Sequence, residues 1–258
     1  MRILVRTSKW AVWSRRFGAL ALPLAVLPVF LHRMLFLEST TFEIVEAVAL
    51  GVATIAFILG LAAMIRLWIT GDQGWGRASL GLVFGALCLA PAFYLAVEAV
   101  RIQATPDVST DYANPPALVS FAPSRFIGPE ERARIEADFP NVRSRTYPVT
   151  APQMFTLVEN LAASRGWEMR ARRVPVNALD TGQLNAVATT LLGWRHEVAI
   201  RVAGTADGST VDMRSAVLTD FHDFAENGQR IEAFLLELDN QVTLLLRDAP
   251  VAPVADDS

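Results

Sequence analysis

The stretch HEVAIRVAGTADGSTVDMRSAVLT, residues 196–219, decides the fold. Val198, Ile200 and Val202 alternate through its first half, and Val211, Met213, Ser215 and Val217 through its second. Between them Thr205-Ala206-Asp207-Gly208-Ser209-Thr210 is rich in turn formers, and two alternating runs around such a stretch predict a β-hairpin. The other faces carry Arg201, Asp212 and Arg214, so a sheet built on this hairpin has one apolar and one charged side. A turn closing on Asp207-Gly208 sets Arg201 opposite Arg214. A register shifted by two sets it opposite Asp212.

Outward from the hairpin, the chain supplies the rest of a sheet and its cover. Residues 183–192 read as the preceding strand. Before them Trp167, Met169 and Ala171 alternate with Glu168, Arg170 and Arg172 as another. Residues 150–166 open on Thr150 with Gln153 three positions on, the capping-box spacing. They then place Phe155, Val158, Leu161 and Ala162 on one helical face and stop at Gly166. Residues 145–149 are a further strand, and PEERARIEADF at 129–139 a short, exposed helix with proline in its first turn. On the far side a long amphipathic helix begins near Asp223, with Phe224, Ile231, Phe234, Leu235, Leu238, Val242 and Leu245 as its apolar stripe. After the short helix the order is β-α-β-β-β-β-α, which predicts an α+β fold: an antiparallel sheet packed against amphipathic helices. Residues 248–258 read as a disordered tail.

Composition places this domain behind a membrane region. The 258 residues are 52% hydrophobic and only 19% charged. Apolar runs at 17–37, 45–68 and 78–100 each approach the ~20 residues that cross a bilayer as a helix. Pro23 and Pro28 interrupt the first, whose basic lead-in resembles a signal peptide, but no small-residue cleavage site follows and it reads as a retained span. Before Thr105 there are nine Lys+Arg against five Asp+Glu, a net of +4; from Thr105 on there are fourteen against twenty-one, a net of -7. Arg2, Arg6, Lys9, Arg15 and Arg16 lead the first run, and Arg66 and Arg77 flank the loop after the second. The positive-inside rule then puts the N-terminus in the cytoplasm of a bacterium and residues 105–247 in the periplasm, on a multi-pass inner-membrane protein. The acidic soluble half excludes nucleic acid, whose phosphates require a basic footprint. Cys88 is the only cysteine, so no disulfide forms within the chain.

Several constellations are candidates for function. Arg201 and Arg214 as cross-strand neighbours, with Asp212 nearby, would suit a phosphate or carboxylate headgroup; the competing reading is an ordinary ion pair with Asp212 or Glu197. His196, Asp220 and His222, with Asp223, lie at the far ends of the hairpin and form a candidate divalent-metal site, although Asp223 also suits a helix N-cap. Ser215 sits mid-strand without a sharp nucleophile turn, which weakens a serine hydrolase. Asp107 and Asp111, in a proline-bearing linker, could bind a cation or serve as turn residues. Trp167, Phe221 and Phe224 could line a lipid pocket or simply be core. His32, Arg33, Glu43, Glu46 and Glu98 gather at the outer ends of the spans, either as a polar site or as groups reaching water. Gly81 and Gly85 form a GxxxG, a device for close helix packing. No phosphate loop or dinucleotide fingerprint is present, and no cofactor is expected.

Six segments also resemble, in identity and order, domain of unknown function family 1499. They are DVSTD at 107–111 with Pro115-Pro116, Tyr147-Pro148, Arg165-Gly166-Trp167-Glu168, VAIRV at 198–202, VDMRS at 211–215, and residues 227–234. The resemblance covers Thr105 to about Leu246 and implies a domain that often follows membrane helices in bacterial envelope proteins. The chain departs from the family pattern at Asn185-Ala186, where Glu-Ala is usual, and at 216–222. The expected function is therefore binding of an envelope lipid, a hydrophobic anion or a protein partner. A membrane-tethered hydrolase or metal-dependent enzyme is one alternative. A structural subunit whose spans meet another membrane protein through Gly81 and Gly85 is the other.

Overall fold

A computed structural model describes residues 6–120, 127–219 and 222–248. They form two compact units, one of the described residues up to 102 with Thr190–Trp194, the other of the described residues within 103–189 and 195–248.

The first unit is a bundle of three helices, α1 (Lys9–Arg33), α2 (Ser39–Thr70) and α3 (Trp75–Arg101), each long and apolar enough to cross a membrane. All three begin earlier than the apolar runs predict, and α1 continues through Pro23 and Pro28. Their contact seam is built from small residues at three-and-four spacing: Ala11, Ser14, Gly18 and Ala21 on α1, then Ala49, Ala53, Ala56, Gly60 and Ala63 on α2. On α3 it runs Ala78, Gly81, Gly85 and Cys88. That period keeps one stripe facing its neighbours, and small side chains let the backbones approach. A Cβ on Gly81 would lie 2.4 Å from the backbone carbon of Ser14, and one on Gly85 would lie 2.9 Å from the carbonyl oxygen of Ala53. The GxxxG face is thus consumed inside the bundle, which corrects its expected use as a docking face for another membrane protein. His32 is also corrected. Instead of reaching water it is 3% exposed, with Nδ1 2.9 Å from the carbonyl oxygen of Leu192 and Nε2 3.1 Å from Ser39 Oγ.

The second unit is α+β. Its strands are β1 (Asp107–Ser109), β2 (Arg145–Tyr147), β3 (Glu168–Arg173), β4 (Thr181–Thr189), β5 (Arg195–Thr205) and β6 (Gly208–Val217). The sheet runs β1-β6-β5-β4-β3, with β2 also on β6 beyond β1, and every pairing is antiparallel. Helices α4 (Pro129–Asp138), α5 (Ala151–Ser164) and α6 (Glu226–Asp248) complete it. On one face of the sheet Leu184, Ala186, Val198, Ile200, Val202, Val211 and Met213 are buried with Met154, Phe155 and Val158 of α5 and Ile231, Phe234, Leu235 and Leu238 of α6. Each large side chain buried there contributes about 1.5–3 kcal/mol.

Four local expectations are decided or revised. The hairpin turns at Ala206-Asp207, which selects the second of the two registers the sequence allows: Thr205 pairs with Gly208 and Arg201 with Asp212. Gly208 explains the choice: its φ is +148°, and a Cβ there would lie 2.0 Å from the carbonyl oxygen of Tyr147, so glycine occupies the first position of β6 under the end of β2. The linker is not merely a linker, because Asp107–Ser109 adds a strand to β6. The Thr150 hydroxyl donates to Gln153 Oε1 at 3.1 Å and makes no cap bond to the backbone. Finally, α6 starts three residues after Asp223, Phe224 precedes it at φ 49°, and Leu245 is exposed. The predicted tail from 249 on lies outside the described residues.

Candidate functional site

Alternation along β4, β5 and β6 gives the second face of the sheet Gln183, Asn185, Glu197, Arg201, Asp212 and Arg214. This is the charged side that alternation predicts, and it is closed over by the chain that follows β1. Arg201 donates to Asp212 Oδ2 (2.7 Å), to Asp111 Oδ2 (2.9 Å) and to the carbonyl of Asn114 (2.8 Å). Arg214, 7% exposed, forks onto Asp107, with Nε 2.9 Å from Oδ1 and Nη2 2.5 Å from Oδ2. Glu197 is 1% exposed, and its carboxylate accepts the backbone N–H groups of Val119 (2.5 Å) and Ser120 (2.9 Å). Gln183 and Asn185 both donate to the carbonyl of Ala117, at 2.7 and 2.8 Å.

Residues 110–120 are therefore a strap read mainly through its backbone. The three sequence-derived candidates Arg201, Asp212 and Arg214 fall on one face, but Arg201 and Arg214 are not cross-strand partners. The carboxylates of Asp107, Asp111 and Asp212 occupy the positions beside the guanidiniums that one reading reserved for a ligand anion, and the cross-strand pair of Arg201 with Asp212 is the competing reading. Burial alone would raise the Asp111 pKa, but N–H donors from Asn114 and Ala113 and the Arg201 guanidinium hold it below the usual carboxylate range. Asp107 and Asp111 act as partners to arginine, and Asp111 also accepts the N–H groups of Ala113 and Asn114 as a turn residue. A glutamate at 185 would set a second carboxylate near Glu197, whereas Asn185 donates to it at 3.2 Å.

A second cluster lies on the helical face, at the start of α6. Asn227 Oδ1 receives Ser215 Oγ–H (2.7 Å) and Arg230 Nη1 (3.2 Å), and it lies 3.0 Å from His196 Nδ1. Both ring-side partners are thus set: Nδ1 carries the proton toward Asn227, and Nε2 faces Glu226 at 3.6 Å. Burial, with Arg230 nearby, pushes the imidazole pKa down to about 4, against the pull of Asn227 and Asp223. Burial raises the Glu226 carboxyl, and Asp223 adds to that. Asp223 is buried away from the helix cap, accepting Thr105 N–H (2.6 Å) and Oγ–H (2.8 Å).

This cluster offers little to a catalyst. The Ser215 hydroxyl donates its proton to an amide oxygen and accepts from Arg230 at 3.1 Å, so no base is positioned to activate it. His222 sits in a local turn, its Nδ1 accepting the N–H of Phe224 at 3.0 Å. Among the described residues no group of three or more His, Cys, Asp or Glu could hold a metal ion; Asp220 and Phe221 lie outside them. Trp167 stacks on Phe234, ring centroids 5.3 Å apart, and so joins the core.

The strap, the carboxylate–arginine pairs and the α6 cluster all lie in the stretch that the family described as protein of unknown function, DUF1499, matches: residues 107–238, just over half of the chain. The chain belongs to the DUF1499 family. No curated protein and no solved structure matches it. Within this DUF1499 chain the match begins at Asp107, partner of Arg214, and ends at Leu238, the last fully buried leucine of α6.

Sequence reasoning missed Asn227, Arg230, Glu226 and the Asp223–Thr105 link as one cluster, though residues 227–234 stood among the family-like segments. It also missed the role of Glu197, Asn185 and Gln183. The one available signal was that period-two alternation puts all three on the charged face, opposite a linker rich in unpaired backbone groups.

Proposed function

We propose that this DUF1499 protein is a membrane-anchored binding protein of the bacterial inner membrane, with its N-terminus in the cytoplasm. Its C-terminal unit would lie in the periplasm and capture an anionic amphiphile by an apolar tip flanked by guanidinium groups. The sidedness is supported by the basic lead-in to α1 and by Arg66 in the last turns of α2 and Arg77 in the first turn of α3, on either side of the short connection.

One observation carries the binding mode. The loop between β3 and β4 holds Val176 and Leu179 outward, 87% and 67% exposed, while its backbone is fixed from within. Asp180 accepts the N–H of Val176 (2.9 Å) and of Thr181 (2.7 Å), and Asn177 Oδ1 accepts that of Leu179 (3.0 Å). A tethered loop presenting two large apolar side chains has paid the ordering entropy before any partner arrives. Arg172 and Arg173, at the end of edge strand β3, adjoin it; they pair at the surface with Glu159 and Asp180. Such exposed pairs are worth at most about 1 kcal/mol, so a ligand phosphate or carboxylate exchanges with them readily.

The test is a photoreactive benzophenone side chain in place of Val176, irradiated in the intact membrane. We expect a lipid adduct by mass spectrometry, falling several-fold when Arg172 and Arg173 are both changed to Gln. Absence of any adduct, or an adduct with a polypeptide alone, would overturn the reading.

A further inference from the structure

The turn between β4 and β5, Thr190–Trp194, belongs to the helical unit. Its backbone is committed to the end of α1. Arg33 Nη1 donates to the carbonyls of Thr190 (3.2 Å) and Leu191 (2.8 Å), and His32 Nδ1 lies 2.9 Å from that of Leu192. The His32 ring stacks on Phe42 of α2 at 4.4 Å between centroids, and Trp194 meets it edge-on at 5.0 Å. Gly193 takes φ +95°, and a Cβ there would lie 2.7 Å from His32 Nδ1, so the close approach is built into the turn.

With its backbone held so firmly, the turn leaves Leu191 80% exposed. It does not stand alone: Phe30, Leu31, Met34, Leu35 and Phe36, at and just beyond the end of α1, are exposed as well. A patch of this kind on a water-washed surface is uncommon and marks an interaction site. Here the patch runs on into the apolar exterior of the helices themselves. At 32 residues α2 is about 48 Å long, close to the ~40–45 Å of a bilayer with its headgroups. Its first turns, which carry Phe42 and therefore His32 and Trp194, then fall in the interfacial layer, where tryptophan is enriched.

The geometry points to the β4–β5 turn as a bilayer-docking element: Leu191, with Leu35 and Phe36, seats in the headgroup–acyl boundary of the leaflet at the end of α1. The occupant is lipid, because the patch is continuous with surfaces that only hydrocarbon would cover. The inference rests on α1–α3 spanning the bilayer, and its test reports on that separately.

In a Cys88→Ala background, Leu191→Cys would carry an environment-sensitive fluorophore in full-length protein reconstituted into phosphatidylethanolamine–phosphatidylglycerol bilayers. Val83→Cys on the exposed side of α3 marks the span, and Asp207→Cys at the β5–β6 turn marks water. We expect the Leu191 label to be blue-shifted relative to Asp207. Spin-labelled lipids should quench it several-fold more strongly when the spin sits high on the acyl chain than near the chain end. Water-like, unquenched emission at Leu191 with Val83 quenched overturns the docking alone. A blue shift without lipid quenching overturns it too, since protein would then be the cover. Loss of quenching at Val83 overturns the spanning reading and the docking with it.

Discussion

At the scale of single residues, Arg214 and Asp107 show how a charge survives inside this fold. Both side chains are 9% exposed, and two parallel N–H···O contacts fit the planar fork of the guanidinium to the carboxylate. Removing one partner strands the other. Asp107→Asn should therefore cost about 3–5 kcal/mol, while the double change Asp107→Leu with Arg214→Met should cost much less, both read from chemical denaturation of the full chain. A single variant as stable as the parent would show that Arg214 is reached by water. His196 gives the opposite case, a titratable group buried neutral. Because its pKa falls from 6.5 to about 4, the unfolded chain takes up a proton across that interval that the native chain refuses. Stability is complete above pH ~6.5 and should fall by on the order of 3 kcal/mol as pH drops to ~4. Glu226, raised by burial, works against this at the acid end of the window. Thermal melts from pH 7.5 downward should flatten in His196→Gln, and equal slopes in variant and parent would refute the assignment. The residue types at 107, 111 and 196 were visible in the sequence. Their partners were not, because Asp107 and Arg214 are 107 positions apart and only the β1–β6 pairing brings them together.

At the scale of elements, periodicity located the hairpin, strand β3 and the helices α5 and α6, since burial of one face leaves a period in the sequence whatever the partner is. It failed where a choice depended on a neighbour. The hairpin could close in either of two registers, and the choice moved Arg201 from Arg214 to Asp212. Gly208 decides it by lying beneath Tyr147, a contact that does not exist until β2 docks. Gly208→Ala should cost about 1–3 kcal/mol in backbone strain, before the clash with the Tyr147 carbonyl is counted. Hydrogen exchange should then show faster exchange at Tyr147, Ser209 and Val211, with β4 little changed. Unaltered protection along β2 would mean that the glycine is not what sets the register. Strand β1 escaped notice for a related reason: three residues bounded by Pro106 and Thr110 carry no period, and they become a strand only because β6 offers them an open edge.

At the scale of the whole molecule, charge and hydropathy divide the chain close to where its compact units divide, near residue 102. The division carries a prediction about sidedness. Alkaline phosphatase fused after Asp248 should be active and a fluorescent protein at the same place dark, the pattern of a periplasmic terminus. The reverse pattern would remove the envelope role along with the amphiphile proposed for the β3–β4 loop. What the sequence by itself determined is the class of each unit, apolar helices in the first and a sheet with helices in the second. Apolar length specifies helices able to cross a bilayer, and alternation specifies a sheet with one apolar face, because both follow from local geometry and the cost of wetting hydrocarbon. Only the tertiary structure decided what happens to the polar groups. Whether Arg201 and Arg214 await an anion or are already paired depends on a strap laid over them from the far end of the domain. Hydrogen bonds and ion pairs are directional and short-ranged, so they are settled by where the chain returns and not by the order in which its residues occur.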